Sequence, residues 1–115
     1  MLFRSRSLIE GKRVSNEPGH SSICDAILTA EPGELTFAIN RKLLEGVAIV
    51  SDSDTAAAMQ DAAAYLKLIV EPGGAVAFAA LSTGAIPVAG RTVAVVLSGG
   101  NVDLDRFAEI IAAGH

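Results

Sequence analysis

Thr92 to Leu97 is a run of six residues, five of them apolar, with no alternation of polar and apolar positions. A half-exposed strand alternates, because successive side chains face opposite sides of its sheet. An unbroken apolar run of this length predicts a parallel strand covered on both faces. Parallel strands are joined by long, mostly helical crossovers, so the run points to an α/β layered architecture. Ser98-Gly99-Gly100-Asn101 follows at once, and Asp103 then begins an amphipathic helix with Phe107, Ile110 and Ile111 inward. Ligands of open α/β sheets bind at such a strand-to-helix junction. The glycines let a flat or anionic ligand approach the backbone, and the Ser98 hydroxyl can donate or accept a hydrogen bond. The same residues also suit a tight strand-to-helix turn with no ligand.

The remaining pattern agrees with layers of helix on strand. Residues 2–10 predict a short helix stopped by Gly11, and residues 11–22, with Pro18 and Gly19, predict a loop. Ser22 to Leu28 is a short apolar stretch of open type. Leu35, Ala38, Ile39, Leu43 and Leu44 recur at helical spacing, which predicts an amphipathic helix over 34–45 with Gly46 as its C-terminal glycine. Val47–Val50 predicts a short buried strand. Ser51-Asp52-Ser53-Asp54 offers side-chain oxygens to the free N–H groups of a helix start, and the helix is expected over about 54–68 with Met59, Ala63 and Leu66 on one stripe. After Glu71-Pro72-Gly73-Gly74, a nearly all-apolar helix over about 74–82 is expected to be buried on most sides. Two strands do not make a stable sheet core, so the chain reads as part of a larger, incomplete sheet.

Composition narrows the function classes. The 115 residues are 50% hydrophobic but only 4% aromatic, which suits helices packed closely on a sheet rather than a sandwich of large side chains. The formal net charge of −4 repels phosphate backbones and argues against nucleic-acid binding. No stretch approaches the ~20 apolar residues of a membrane-spanning helix. The N-terminal MLFRSRSLIEGKR has no apolar core of the kind a secretory signal needs. The single cysteine, Cys24, cannot form an intrachain disulfide, and a reducing, cytoplasmic setting is the expectation. Cys24 itself is expected to be a small buried apolar residue rather than a reactive thiol.

A second motif is LIVEPGGAVAFAAL. Glu71 lies between an apolar run and a glycine turn at a helix start, where the N–H groups of Gly73 and Gly74 favour an anion. The plain alternative is that Glu71 merely caps the helix. Taken together and in order, KLIVEPGGAVAFAAL and TVAVVLSGGNVDLDRF resemble the C-terminal part of the pyridoxal-phosphate-dependent serine/threonine dehydratase family, which includes threonine dehydratases, serine racemases and hydroxyaspartate dehydratases. The upstream SICDAILTAEPGELTFAINRKLLEG and VAIVSDSD fit in the same order, so the resemblance covers about residues 6–112.

The resemblance implies the C-terminal part of the large domain of a tryptophan-synthase-β-like (fold type II) enzyme, a three-layer parallel sheet left incomplete, with residues 1–115 as one partial domain. It implies pyridoxal 5'-phosphate as cofactor and β-elimination of water from L-threonine or L-serine, giving a 2-oxo acid and ammonia. Ser98 falls where the family's serine meets the pyridine nitrogen, with Gly99, Gly100 and Glu71 beside the cofactor. Lys67 and Asn101 fall where racemase-like members contact a nucleotide; the alternative for Lys67 is a solvated helix-end lysine. The family's Schiff-base lysine and phosphate-binding glycine loop have no counterpart here, since Lys12, Lys42 and Lys67 stand in no Ser-x-Lys segment. No catalytic residue is therefore assigned, and the chain alone is expected to be inactive. MLFRS carries no carboxylate where the family's cation ligands lie, so no metal site is carried over. The expected partners are a small amino-acid substrate in the complete enzyme and further copies of the chain. A chain ending soon after its last helix also points to the catabolic or racemase-like branch. The rival expectation is a non-catalytic module that binds a small anion or nucleotide at Ser98–Asn101, or merely associates.

Overall fold

The computed structural model describes residues 3–113 except 17, 18 and 20. Leu2, at the expected start of the first helix, and Pro18, in the expected loop, lie outside the described residues. Five α-helices follow in order: α1 Phe3–Glu10, α2 Glu34–Leu43, α3 Asp52–Asp61, α4 Pro72–Ser82 and α5 Leu104–Ala113. A short 3-10 turn, Asp25–Ile27, precedes α2, and a π-helical turn, Ala62–Leu66, extends α3.

Each helix start has a local cause. The Ser51 side chain accepts from the Asp54 N–H while the Asp54 carboxylate accepts from the Ser51 N–H, so SDSD is a capping box, and α3 begins at Asp52 rather than 54. The Ser51 bonds also hold the Asp54 carboxyl below its ordinary range. Pro72 sits in the first turn of α4, where its missing N–H costs nothing, so this helix starts two residues before the expected 74. In α5 the Phe107 N–H closes the first turn on the Asp103 carbonyl.

The core lies where α3 packs on α4, with α5 across α3. Ala58, Met59, Ala62, Ala75 and Ala79 are buried there, closed by Val70, Phe107 and Ile110. The alanine content read from the sequence thus becomes close helix packing, because small side chains let backbones approach. Of the expected stripe on α3, Met59 is buried, but Leu66 is exposed. The π turn and Lys67, which adopts a left-handed conformation (φ 60°), rotate the end of the helix out of register.

The expected sheet is not formed among the described residues. Among the described residues, neither Val47–Val50 nor Thr92–Leu97 is hydrogen-bonded into a ladder. A strand exists through its neighbour's N–H and C=O groups, and no backbone bond joins these two runs to each other. Val96 is 72% exposed, the reverse of a covered parallel strand. The stripe on α2 is also uncovered: Leu35 and Leu43 stand in solvent, and the helix ends at Leu43 with Leu44 already extended, so Gly46 is not its cap. The chain exposes 7557 Å². A compact monomer of 11.8 kDa is expected to expose about 5,900 Å². Exposed apolar side chains such as Leu35, Leu43, Ile69 and Val96 contribute to that excess.

Candidate functional site

The Ser98–Gly100 turn and the start of α4 form one seam. The Glu71 N–H donates to the Gly99 carbonyl at 3.2 Å, and the Val102 N–H closes the turn on the Gly100 carbonyl at 2.9 Å. Three glycines line this seam, each where a side chain would not fit. A Cβ on Gly74 would overlap the Ser98 carbonyl oxygen and lie 2.8 Å from its carbon. A Cβ on Gly100 would lie 2.8 Å from the Ile69 carbonyl oxygen. At Gly99 it would overlap the Glu71 carboxylate, and Gly99 also has φ +79°, which favours glycine. The two motifs read separately from the sequence are therefore brought together backbone to backbone.

Ser98, Gly99, Gly100 and Asn101 are all exposed. The Ser98 hydroxyl has no hydrogen-bond partner among the described residues, so it is free to meet a ligand. Glu71 is half-buried and stands at the N-cap of α4, but its side chain makes no capping bond. The Gly74 and Ala75 N–H groups instead bond to the Glu71 carbonyl. That corrects two expectations: the Glu71 side chain is not a cap, and Gly74 offers no free N–H to an anion. Lys67 is exposed, and its Nζ donates to the Ala64 carbonyl at 2.7 Å, as a solvated helix-end lysine does.

A separate cleft of about 640 Å³ opens between the 22–27 segment, residues 48–52 and α4. None of Ser98, Gly99, Gly100, Glu71, Lys67 or Asn101 lines it. Asp52 is the polar anchor of its wall: it accepts from the Ser22 hydroxyl at 2.5 Å and from the Ile23 N–H at 3.0 Å. Sequence reading took Asp52 only as part of a helix start; no spacing links it to Ser22, thirty residues away. Cys24 lies in the same wall, 3% exposed, and burial pushes its thiol above the ordinary range. It is the small buried residue that was expected. Among the described residues, no group of three His, Cys, Asp or Glu side chains is placed to hold a metal ion. No described helix is long and apolar enough to cross a membrane.

Comparison with known proteins shows what the chain is similar to. The family model described as pyridoxal-phosphate dependent enzyme matches residues 3–99. The chain is 36% identical over 110 residues to the L-threo-3-hydroxyaspartate ammonia-lyase of Saccharomyces cerevisiae, covering 96% of this chain and 32% of that protein. It is 36% identical over 115 residues to the catabolic L-threonine dehydratase of Staphylococcus aureus, covering 97% of this chain and 32% of the relative. Among solved structures, the serine racemase of Dictyostelium discoideum superposes with a TM-score of 0.76 at 33% identity, over 89% of this chain and 32% of that one. The chain thus spans about a third of the length of the relatives it matches.

Proposed function

The chain belongs to the pyridoxal-phosphate dependent enzyme family, and from that premise we propose that residues 1–115 are one partial domain. It is the part of a threonine/serine dehydratase that carries the ring-nitrogen side of the cofactor site. The observation that supports this most is the seam itself: a free serine hydroxyl held on a side-chain-free turn against the EPGG helix start. The residues fit that end of the cofactor. The exposed Ser98 hydroxyl, which has no hydrogen-bond partner among the described residues, is the group that would meet the ring nitrogen, while the bare faces of Gly99 and Gly100 are taken up by Glu71 and the Ile69 carbonyl and hold the turn in place. Pyridoxal phosphate, when bound, supplies an electron sink conjugated to the substrate's Cα. Ser98 would hold the pyridine nitrogen with a neutral hydroxyl, which would not force its protonation as a carboxylate does and would suit loss of a β-hydroxyl from threonine or serine. Gly99 and Gly100 would hold the turn that presents Ser98, with Glu71 packed on Gly99 near that end of the cofactor. Lys67 and Asn101 keep the nucleotide-contact reading of racemase-like relatives, Asn101 with a free exposed side chain.

The three lysines, Lys12, Lys42 and Lys67, stand outside any Ser-x-Lys segment, so this stretch supplies no Schiff-base group and is inactive by itself. The three-layer sheet is completed only by further polypeptide, which would pair Thr92–Leu97 and cover the excess surface. The rival reading, a non-catalytic module that binds a small anion or nucleotide at Ser98–Asn101, has less support, because the family match covers residues 3–99. The test is reconstitution with the remainder of a threonine ammonia-lyase. The mixture should form 2-oxobutyrate from threonine, and this chain alone with added cofactor should not. Ser98→Ala should slow elimination by up to about tenfold, the net worth of one hydrogen bond. Turnover by the isolated chain, or an unchanged rate in the Ser98→Ala variant, would refute the assignment.

A further inference from the structure

We propose that Glu71 is a positioning residue for Ser98: its carboxylate, seated on Gly99, fixes the turn that carries the Ser98 side chain and acts through that turn rather than by touching a ligand. This rests on the reading of the turn as the ring-nitrogen site.

Glu71 occupies the N-cap of α4, a position where a side-chain oxygen usually accepts from the helix start. It makes no such bond, and no ion pair or side-chain hydrogen bond is formed by it among the described residues. The side chain is instead folded over Gly99. A Cβ on that glycine would overlap Oε1 and lie 3.0 Å from Cδ and 3.6 Å from Cγ. The main chain of the same residue grips the same glycine, through Glu71 N–H to the Gly99 carbonyl at 3.2 Å. One residue therefore holds Gly99 from two sides.

Gly99 is the joint of the turn. With φ +79° and no Cβ, it is the residue through which the turn most readily reorients. Ser98 itself is fixed on its carbonyl side, where only the bare Cα of Gly74 lets it sit so close to α4. Once Gly99 is also pinned, the Ser98 Cα–Cβ bond is fixed relative to the turn, and its hydroxyl is confined to the staggered positions about that bond. A carboxylate suits this role because it is planar, large enough to cover the glycine, and half exposed, so its charge stays hydrated.

The test uses the 115-residue chain labelled with ¹⁵N and reconstituted with the unlabelled remainder of a threonine ammonia-lyase. Amide spectra and hydrogen exchange are followed in Glu71→Ala, Glu71→Gln, Gly99→Ala and the double variant that combines Glu71→Ala with Gly99→Ala. Glu71→Ala should move the Ser98, Gly99 and Gly100 resonances and speed exchange at the amides of position 71 and Val102 by about tenfold, the scale of one net hydrogen bond. Exchange at Met59 and Ala62 should not change. Glu71→Gln, with the same planar shape, should restore the wild-type turn. Gly99→Ala should raise the unfolding constant at least about threefold less in the Glu71→Ala background, where the obstructing carboxylate is gone. Unmoved resonances, failure of Gln to restore them, additive effects at 71 and 99, or equal loosening of α3 would each overturn the proposal. These readouts need no cofactor. A turn that behaves as proposed while Ser98→Ala leaves reconstituted elimination unchanged would sink the cofactor reading alone.

Discussion

Gly74→Ala is the substitution on which two physical effects compete most directly. Alanine is the better helix former by about 0.8–1.0 kcal/mol in a helix interior. Gly74 lies in the first turn of α4, where that gain is only partly realised. Against it stands the new Cβ, which would overlap the Ser98 carbonyl oxygen and lie 2.8 Å from its carbon and 3.1 Å from Val70 Cγ1. Carbon pairs are comfortable at about 3.5 Å or more, so relief of the carbon contact alone needs a retreat of roughly 0.7 Å, and the closer carbonyl oxygen demands more. The obstacle is backbone, which cannot rotate aside as a side chain could. Overpacking of this kind costs about 1–3 kcal/mol, and the rigid obstacle places it in the upper half. After the helix gain is subtracted, the net loss is about 1–2 kcal/mol, a shift of roughly 4–8 °C in melting temperature. Urea and thermal unfolding by circular dichroism would read it. Gly46→Ala is the control, because a Cβ there meets nothing within 4 Å, and it should be neutral or slightly stabilising. If Gly74→Ala proves as stable as the parent, the backbone contact across the seam is not real.

The other predictions are brief. Ser51→Ala removes half of the capping box and should destabilise α3 by about 1 kcal/mol, read as a lower urea midpoint. Lys67→Gly relieves a left-handed non-glycine residue and should stabilise by up to about 1 kcal/mol, despite loss of the bond to the Ala64 carbonyl; an unchanged or lower melting temperature would count against strain there. Burial raises the Cys24 thiol pKa, so its protonated form belongs to the folded state. That stability is present below the ordinary thiol value of about 8.5 and declines as pH rises through the raised folded value. Unfolding followed from pH 7 upward should show a loss that Cys24→Ala removes. Finally, the uncovered apolar runs should drive self-association at tens of micromolar, and sedimentation showing a monodisperse monomer with one sharp melting transition would contradict the partial-domain reading.

Local chemistry was legible because it depends on residues close in sequence. The helix-start oxygens of Ser51 to Asp54 and the inward Phe107 and Ile110 of α5 follow from side chains within a turn or two of each other, whereas α4 starts at Pro72, two residues before the expected 74. The burial of Cys24 was expected from its residue type. The two glycine motifs were visible as motifs, and their order carried the family resemblance. Tertiary structure decided the rest. That Gly74, Gly99 and Gly100 are one seam depends on which backbone meets which, and nothing within either motif specifies its distance from the other. That Asp52 holds Ser22 and Ile23 requires closure of a loop that no local pattern encodes. Thr92–Leu97 shows the limit from the other side: its composition specifies a covered strand, but a strand also needs a neighbour's hydrogen bonds, and those come from partners that composition cannot supply.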